Sequence, residues 1–388
     1  MRNRFVKFLA IAAVPTLALG LLAFTPTAHR ALAQDATAVP TSLPAATGWT
    51  TYTDDMVDGK VILSARASAL PESCPPPKPK DHYTIAMSQA NKAEPWRTAM
   101  NQQLEAAAKA EGFDIVFADA AQDNAKQVSD IENFLTQGVD LLVVSPNEAA
   151  PLTDEINKVW KACIPVIVLD RNITNTDYSM FIGANNVSIG KSAGEYVANW
   201  CKEKGLSPCN VIELRGLEGA PPAKDRGDGF RAGIASNPDV KIIASQNADW
   251  LREKAVPAAD AMLSANEKVD VIYGHNDPMA EGAYLAAQSA GRDLSKILFV
   301  GIDGLPTADG GIESVLQGRI GVTFVYPTGG KQAIAWAKAI LTQAVVPPLW
   351  VELPFSSIDP SNAQDVCNTY ACPDAKMGEA TPEATASS

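Results

Sequence analysis

Hydrophobic and polar positions change rhythm twice along this 388-residue chain, dividing it into three stretches. The first is a leader. A basic start, Met1-Arg2-Asn3-Arg4-Phe5-Val6-Lys7, runs into an apolar stretch that reaches Phe24, and Ala31-Leu32-Ala33 follows. A charged start, an apolar core and an A-x-A site together predict a secretion signal at 1–33, cut after Ala33. Pro15 breaks the apolar stretch, which is shorter than the roughly 20 residues of a membrane span. The second stretch, 34–79, has no sustained period. It is rich in Pro, Ala and Thr, ends in Pro75-Pro76-Pro77-Lys78-Pro79, and reads as a poorly ordered spacer arm. Weak alternation over 49–64 fixes no element.

From Tyr83 onward, strand-like and helix-like patterns alternate. Apolar runs at 83–89, 115–118, 141–145 and 165–169 predict strands, with amphipathic helices at 95–112, 125–137 and 149–162 between them. The pattern resumes with helices at 189–204, 225–235, 254–265, 279–290, 311–317 and 329–341. The strands among them are 210–214, 241–246, 269–273, 297–302 and 321–325. Such alternation predicts βαβ units and parallel sheets, an α/β fold. About ten strands fit two doubly wound sheets of ordinary domain size better than one. No repeat of solenoid length is present. After Asp374 the tail is low in complexity and reads as disordered.

Charge and cysteine content sharpen this picture. The formal net charge is −12, and the charged residues of the leader are all basic, so the exported chain is more acidic still. An acidic surface disfavours nucleic acid and anionic lipid as partners. Six cysteines, Cys74, Cys163, Cys201, Cys209, Cys367 and Cys372, suit an oxidising compartment. Local spacing suggests Cys201–Cys209 and Cys367–Cys372. That leaves Cys74–Cys163 to tie the arm to the sheet, with free buried thiols as the alternative. Zinc is disfavoured because two matching short cysteine spacings are absent.

Ligands of open α/β sheets bind beyond the carboxyl ends of the strands. The residues that follow the predicted strands share one chemical character: Trp96, Arg97, Asp170, Arg171, Arg226, Trp250, Asn276 and Asp303. Carboxylates accept from hydroxyls, arginine donates in a planar fork, and tryptophan offers a flat apolar face. A sugar needs all three. Each residue also has a plainer local explanation. Asp170-Arg171 makes a strand-end ion pair, Arg226 pairs with Asp225 or Asp228, Trp96 packs a helix start, and Asp277 caps the helix it opens. Recurrence at one edge of two sheets favours the ligand reading. No G-x-S-x-G, H-E-x-x-H or phosphate-loop motif is present, and one of the three histidines lies in the leader, so the sequence points away from an enzyme.

Several motifs together are distinctive. They are Gln137-Gly138-Val139-Asp140, Ile164-Pro165-Val166 leading to Leu169-Asp170-Arg171, and Asn185-Asn186-Val187 with Gly190-Lys191. Further along stand Asp225-Arg226-Gly227-Asp228-Gly229-Phe230, His275-Asn276-Asp277-Pro278-Met279 and Gly301-Ile302-Asp303-Gly304. Over roughly 83–354 the chain resembles sugar-binding proteins of the ribose-binding type, the type I periplasmic binding proteins. Ser88-Gln89, Trp96-Arg97 and Pro208-Cys209-Asn210-Val211 resemble the galactofuranose-binding members most.

The resemblance implies two α/β lobes with three crossings between them, 80–184 plus 327–346 and 185–326 plus 347–360; the arm at 34–79 and the cysteine-bearing tail at 361–388 lie outside the family pattern. It implies a cleft that closes over a monosaccharide by hinge motion, no cofactor, and delivery to the membrane permease of an ABC transporter by a monomer. A ligand-binding partner of a chemoreceptor or signalling receptor is the alternative. Trp96 would stack on the sugar and Arg97 bond its hydroxyls. Asp170 and Arg171 would hold one edge, Arg226, Asn276 and Asp303 the other, and Trp250, where a Phe is usual, would close the stack. Val325-Tyr326 stands where a polar residue such as Gln is common. The ligand expected is a neutral sugar, galactofuranose or galactose first and a pentose second. Export has a direct check: mass spectrometry of the mature protein should find Gln34 at its N-terminus, and an intact Met1 outside the cell would defeat the prediction.

Overall fold

The computed structural model describes residues 45–370 and Cys372. The leader with its cut after Ala33, the first part of the arm and the tail segment read as disordered lie outside the described residues.

The first lobe is built on a seven-stranded sheet. Its order is Lys60–Leu63, Trp350–Leu353, Met180–Ala184, Val166–Leu169, Leu141–Ser145, Thr84–Gln89 and Asp114–Asp119. Every neighbouring pair is parallel except the first. The central strands, Leu-Leu-Val-Val-Ser and Val-Ile-Val-Leu, are buried on both faces, as continuous apolar runs in a parallel sheet must be. The run Met180–Ala184, absent from the predicted strands, completes the sheet; Gly183 weakens its strand signal. In the second lobe Leu298–Val300, Val271–Gly274, Cys209–Arg215 and Val240–Asn247 form a parallel sheet. Bridges from Val300 to Val322 and from Asp303 to Val325 extend it, and Thr323–Phe324 pairs antiparallel with Ser357–Ile358. This is the type I periplasmic binding protein fold.

Two helices of the second lobe, Asn186–Glu203 and Pro221–Ile234, meet backbone to backbone. A Cβ on Gly190 would stand 2.2 Å from the carbonyl oxygen of Arg226, and one on Gly229 would stand 2.2 Å from that of Val187. Only glycine permits this approach, and it fixes where Arg226 leaves its helix.

The chain crosses between lobes after Ala184, after Phe324 and after Leu353. Two expectations are corrected here. Trp350–Leu353, within the 347–360 assigned to the second lobe, belongs to the first-lobe sheet. Its backbone bonds Met180–Ala184 on one side and Lys60–Leu63 on the other, and Trp350 packs edge-on to Phe181 at 5.0 Å. From residue 45 the arm is also no loose spacer. Trp49, Tyr52, Leu70 and Cys74 are buried in the first-lobe core, and Tyr52 meets Trp336 edge-on at 6.3 Å. The Trp160 indole N–H donates to the Ala69 carbonyl at 3.0 Å, and the Arg66 guanidinium lies over the Trp160 ring. A few aromatic anchors hold a segment whose average composition resembles a linker. Its strand Lys60–Leu63 also covers a sheet edge that would otherwise be open.

Disulfides join Cys74 to Cys163 and Cys201 to Cys209. Contrary to the local-spacing expectation, Cys367 and Cys372 are free thiols. The helix Ala363–Tyr370 packs beside Gly311–Leu316, and the Cys372 N–H donates to the Cys367 carbonyl at 3.0 Å. Non-reducing peptide mapping should recover the two linked pairs. Because the Cys74–Cys163 bridge spans 89 residues, Cys163→Ser should cost about 2–4 kcal/mol of stability; denaturant unfolding equal to wild type would show that the arm is not tied by it.

Candidate functional site

The carboxyl ends of both sheets face one cleft. The first lobe contributes the turn after Thr84–Gln89, the helix start at Trp96 and Arg97, and Asp170-Arg171 after Val166–Leu169. The second lobe contributes Arg226, Trp250 after Val240–Asn247, Asn276 after Val271–Gly274, and Asp303 after Leu298–Val300. All eight sequence-predicted residues line one narrow cleft cavity, together with Glu94, Pro222 and Tyr326.

Arg97 is the most heavily bonded group. One terminal nitrogen donates to Gln89 Oε1 at 2.7 Å and Ser145 Oγ at 2.8 Å; the other donates to Asp170 Oδ2 at 3.0 Å. Burial alone would pull its pKa down, but Glu94 and Asp170 outweigh that and hold it above its usual value. Arg171 differs. It donates to the Asn147 carbonyl at 2.8 Å, while its other nitrogens stand 3.8 Å from Asp170 and 3.9 Å from Glu94. Those separations are too long for hydrogen bonds, so donors remain for a ligand. Burial, reinforced by neighbouring Arg97, lowers its pKa to about 10, and it stays charged at neutral pH.

Across the cleft, Arg226 donates through Nε to Asn186 Oδ1 at 2.9 Å. The guanidinium groups of Arg226 and Arg171 lie 5.3 and 5.5 Å from the centre of the Trp250 ring, so that indole meets cations from both lobes. The Trp250 indole N–H finds no acceptor among the described residues. No side-chain or backbone donor among them reaches the Asp303 carboxylate, which burial and nearby Asp277 push well above the usual carboxylate range. It is a buried acceptor facing the cavity. Asp170, Trp250 and Asp303 all take positive φ, at 69°, 73° and 139°, strain of the kind found where side chains are aimed at ligands.

Asn276 and Asp277 exchange their expected local roles. Asn276 is the helix cap: its Oδ1 accepts from the Met279 N–H at 3.1 Å and its Nδ2 donates to the Trp250 carbonyl at 3.0 Å. Asp277, expected to cap, instead accepts from Thr323 Oγ1 at 2.6 Å and the Gly304 N–H at 2.8 Å. It thereby braces the loop that carries Asp303. Burial raises its pKa to about 6. Behind the site, His275 Nε2 stands 3.1 Å from Glu213, which a pair of bonds from Arg231 also holds. At the cleft mouth the lobes touch directly: Gln122 donates to the Asp249 carbonyl and the Ala149 N–H to the Gly219 carbonyl, both at 3.1 Å.

Comparison with known proteins matches residues 85–344 to the periplasmic binding protein domain. The chain belongs to that family. This periplasmic binding protein is 34% identical over 230 residues to the galactofuranose-binding protein YtfQ of Escherichia coli, covering 58% of this chain and 71% of the relative. It is 31% identical over 263 residues to the ribose import binding protein RbsB of Salmonella typhimurium, covering 68% and 83%. Among solved structures, the fructose-binding periplasmic domain of the hybrid two-component system BT1754 is 38% identical, with a TM-score of 0.71 over 75% of this chain and 95% of that one. The family comprises extracytoplasmic solute-binding proteins, not enzymes.

Sequence reasoning missed Glu94, Pro222 and Tyr326. Glu94 carried a faint signal, as an acid directly before the Pro95 helix start. Tyr326 was visible only as a departure from the family pattern. The geometry separates the two aspartates experimentally. Asp170→Ala strips an acceptor from buried Arg97 and should cost roughly 3–5 kcal/mol of stability. Asp303→Asn removes an unpartnered buried acid. Because a raised carboxylate pKa makes wild-type stability fall as pH rises, this variant should be more stable than wild type at pH 7, and the gain should shrink toward pH 4. Thermal unfolding across that range decides; a destabilised Asp303→Asn protein at pH 7 would contradict the assignment.

Proposed function

We propose that this protein captures a neutral monosaccharide in its five-membered-ring form, galactofuranose first and a pentose second, and delivers it to the permease of an ABC transporter. The carrying observation is charge balance: three guanidinium groups, Arg97, Arg171 and Arg226, line the cavity with three carboxylates, Glu94, Asp170 and Asp303. An anion would have to lie beside acids as well as arginines. Sugar hydroxyls both donate and accept, so they satisfy both kinds of group. Trp96 and Trp250 supply apolar faces for the C–H side of a ring. The ligands named for the three similar proteins are galactofuranose, ribose and fructose, all of which form furanose rings.

In this reading Asp303 and the free donors of Arg171 take hydroxyls from opposite lobes, so the sugar bridges them and holds the cleft closed. Arg97, Asp170 and Asn276 hold the surrounding groups in place as well as lining the site. The protein acts as a monomer after export, with no cofactor and no nucleic-acid partner. The similarity to the periplasmic domain of a hybrid two-component system favours the alternative, a ligand-binding partner of a signalling receptor.

Titration calorimetry with galactose, arabinose, ribose and glucuronate tests the ligand class. Saturable binding of at least one neutral sugar is expected, weakened about 10- to 100-fold by Asp303→Asn through loss of a charge-assisted hydrogen bond. Tight glucuronate binding with no response to the neutral sugars would assign the arginines to an anion instead.

A further inference from the structure

Tyr326 sits on the second crossing between the lobes, where the chain leaves Thr323–Phe324 for the first-lobe helix Gly330–Gln343. Four of the predicted site residues converge on it. Its hydroxyl donates to Asp170 Oδ1 at 2.6 Å. The same oxygen accepts from Asn186 Nδ2 at 3.1 Å, and Asn186 Oδ1 in turn accepts from Arg226 Nε at 2.9 Å. Its carbonyl accepts from the Trp96 indole N–H at 2.7 Å, and its own N–H donates to the Asp303 carbonyl at 3.0 Å. The ring packs 5.0 Å from that of Trp96 and lies under the Arg226 guanidinium at 4.4 Å. Tyr326 is 3% exposed, and burial together with Asp170 raises its pKa, so the hydroxyl keeps its proton and remains a donor.

We infer that Tyr326 is the positioning residue that aligns the two halves of the binding site, through a continuous relay Asp170–Tyr326–Asn186–Arg226 running across the hinge. Asp170 and Arg226 belong to different lobes, and no direct bond joins them. The phenol oxygen supplies the link, donating to the acid of one lobe and accepting from the amide that orients the base of the other. Both functions of one hydroxyl are used at once, so neither phenylalanine nor an aliphatic residue reproduces the relay. Preorganised in this way, the arginine and the carboxylate need no rearrangement when a ligand arrives.

The inference rests on the sugar-binding reading. Its test compares wild type, Tyr326→Phe, Asn186→Ala and the double variant by titration calorimetry with galactose, arabinose and ribose, alongside thermal unfolding. Phenylalanine keeps the ring and both backbone bonds. The expected result is a Kd raised roughly 10- to 100-fold in Tyr326→Phe, with Tm within about 4 °C of wild type. In the Asn186→Ala background the same change should have a much smaller effect, because the relay is already broken. Wild-type affinity in Tyr326→Phe, or losses that simply add in the double variant, would overturn the relay while leaving the sugar reading intact. A wild-type protein that binds none of the three sugars overturns the sugar reading and the relay with it.

Discussion

Six charged groups buried in one cleft are the constraint on which the rest of the structure depends. Each of Glu94, Arg97, Asp170, Arg171, Arg226 and Asp303 is at most 6% exposed. Removing such groups from water costs several kcal/mol each unless partners are placed with good geometry. Arg97 meets that demand inside the first lobe, through Gln89, Ser145 and Asp170. Arg226 meets it through Asn186 and the aromatic faces of Trp250 and Tyr326. Among the described residues, Asp303 on one side and Arg97 Nε with part of Arg171 on the other keep hydrogen-bonding capacity unused. A site arranged in this way gains most from a ligand that presents donors and acceptors together, and it penalises one that presents only one kind.

Holding these groups in place requires backbone that ordinary packing would not choose. Asp170, Trp250 and Asp303 take positive φ, and the helices Asn186–Glu203 and Pro221–Ile234 approach until glycine is the only residue that fits between them. The rigid helix pair carries Asn186 and Arg226 as a unit. The crossings then set how one lobe moves against the other. The third is braced from an unexpected direction, because the arm strand Lys60–Leu63 pairs with Trp350–Leu353 just before the chain re-enters the second lobe. At the far side of the cleft, Gln122 on Asp249 and Ala149 on Gly219 bond one lobe directly to the other. Closure of such a cleft is a hinge motion between two lobes.

Alternating apolar runs and amphipathic segments determined the α/β class, and the residues that follow the strands pointed to the cavity between the lobes. Trp96, Arg97, Asp170, Arg171, Arg226, Trp250, Asn276 and Asp303 were legible because a parallel sheet delivers every strand end to one edge, so position along the chain already implies position in space. Which of these groups pair with one another and which keep free donors or acceptors was decided only in three dimensions. Asn276 rather than Asp277 caps its helix, and Tyr326 gathers contacts from residues up to 230 positions away. Trp350–Leu353 joins the first lobe, and sparse aromatics such as Trp49 and Tyr52 pin an arm of linker-like composition. Local patterns report hydrogen bonds and burial over a few neighbouring residues, so they determine elements and their order. Sheet membership at a crossing, cap geometry and the pairing of buried charges depend on atoms that meet only after the chain has folded, and no local period encodes them.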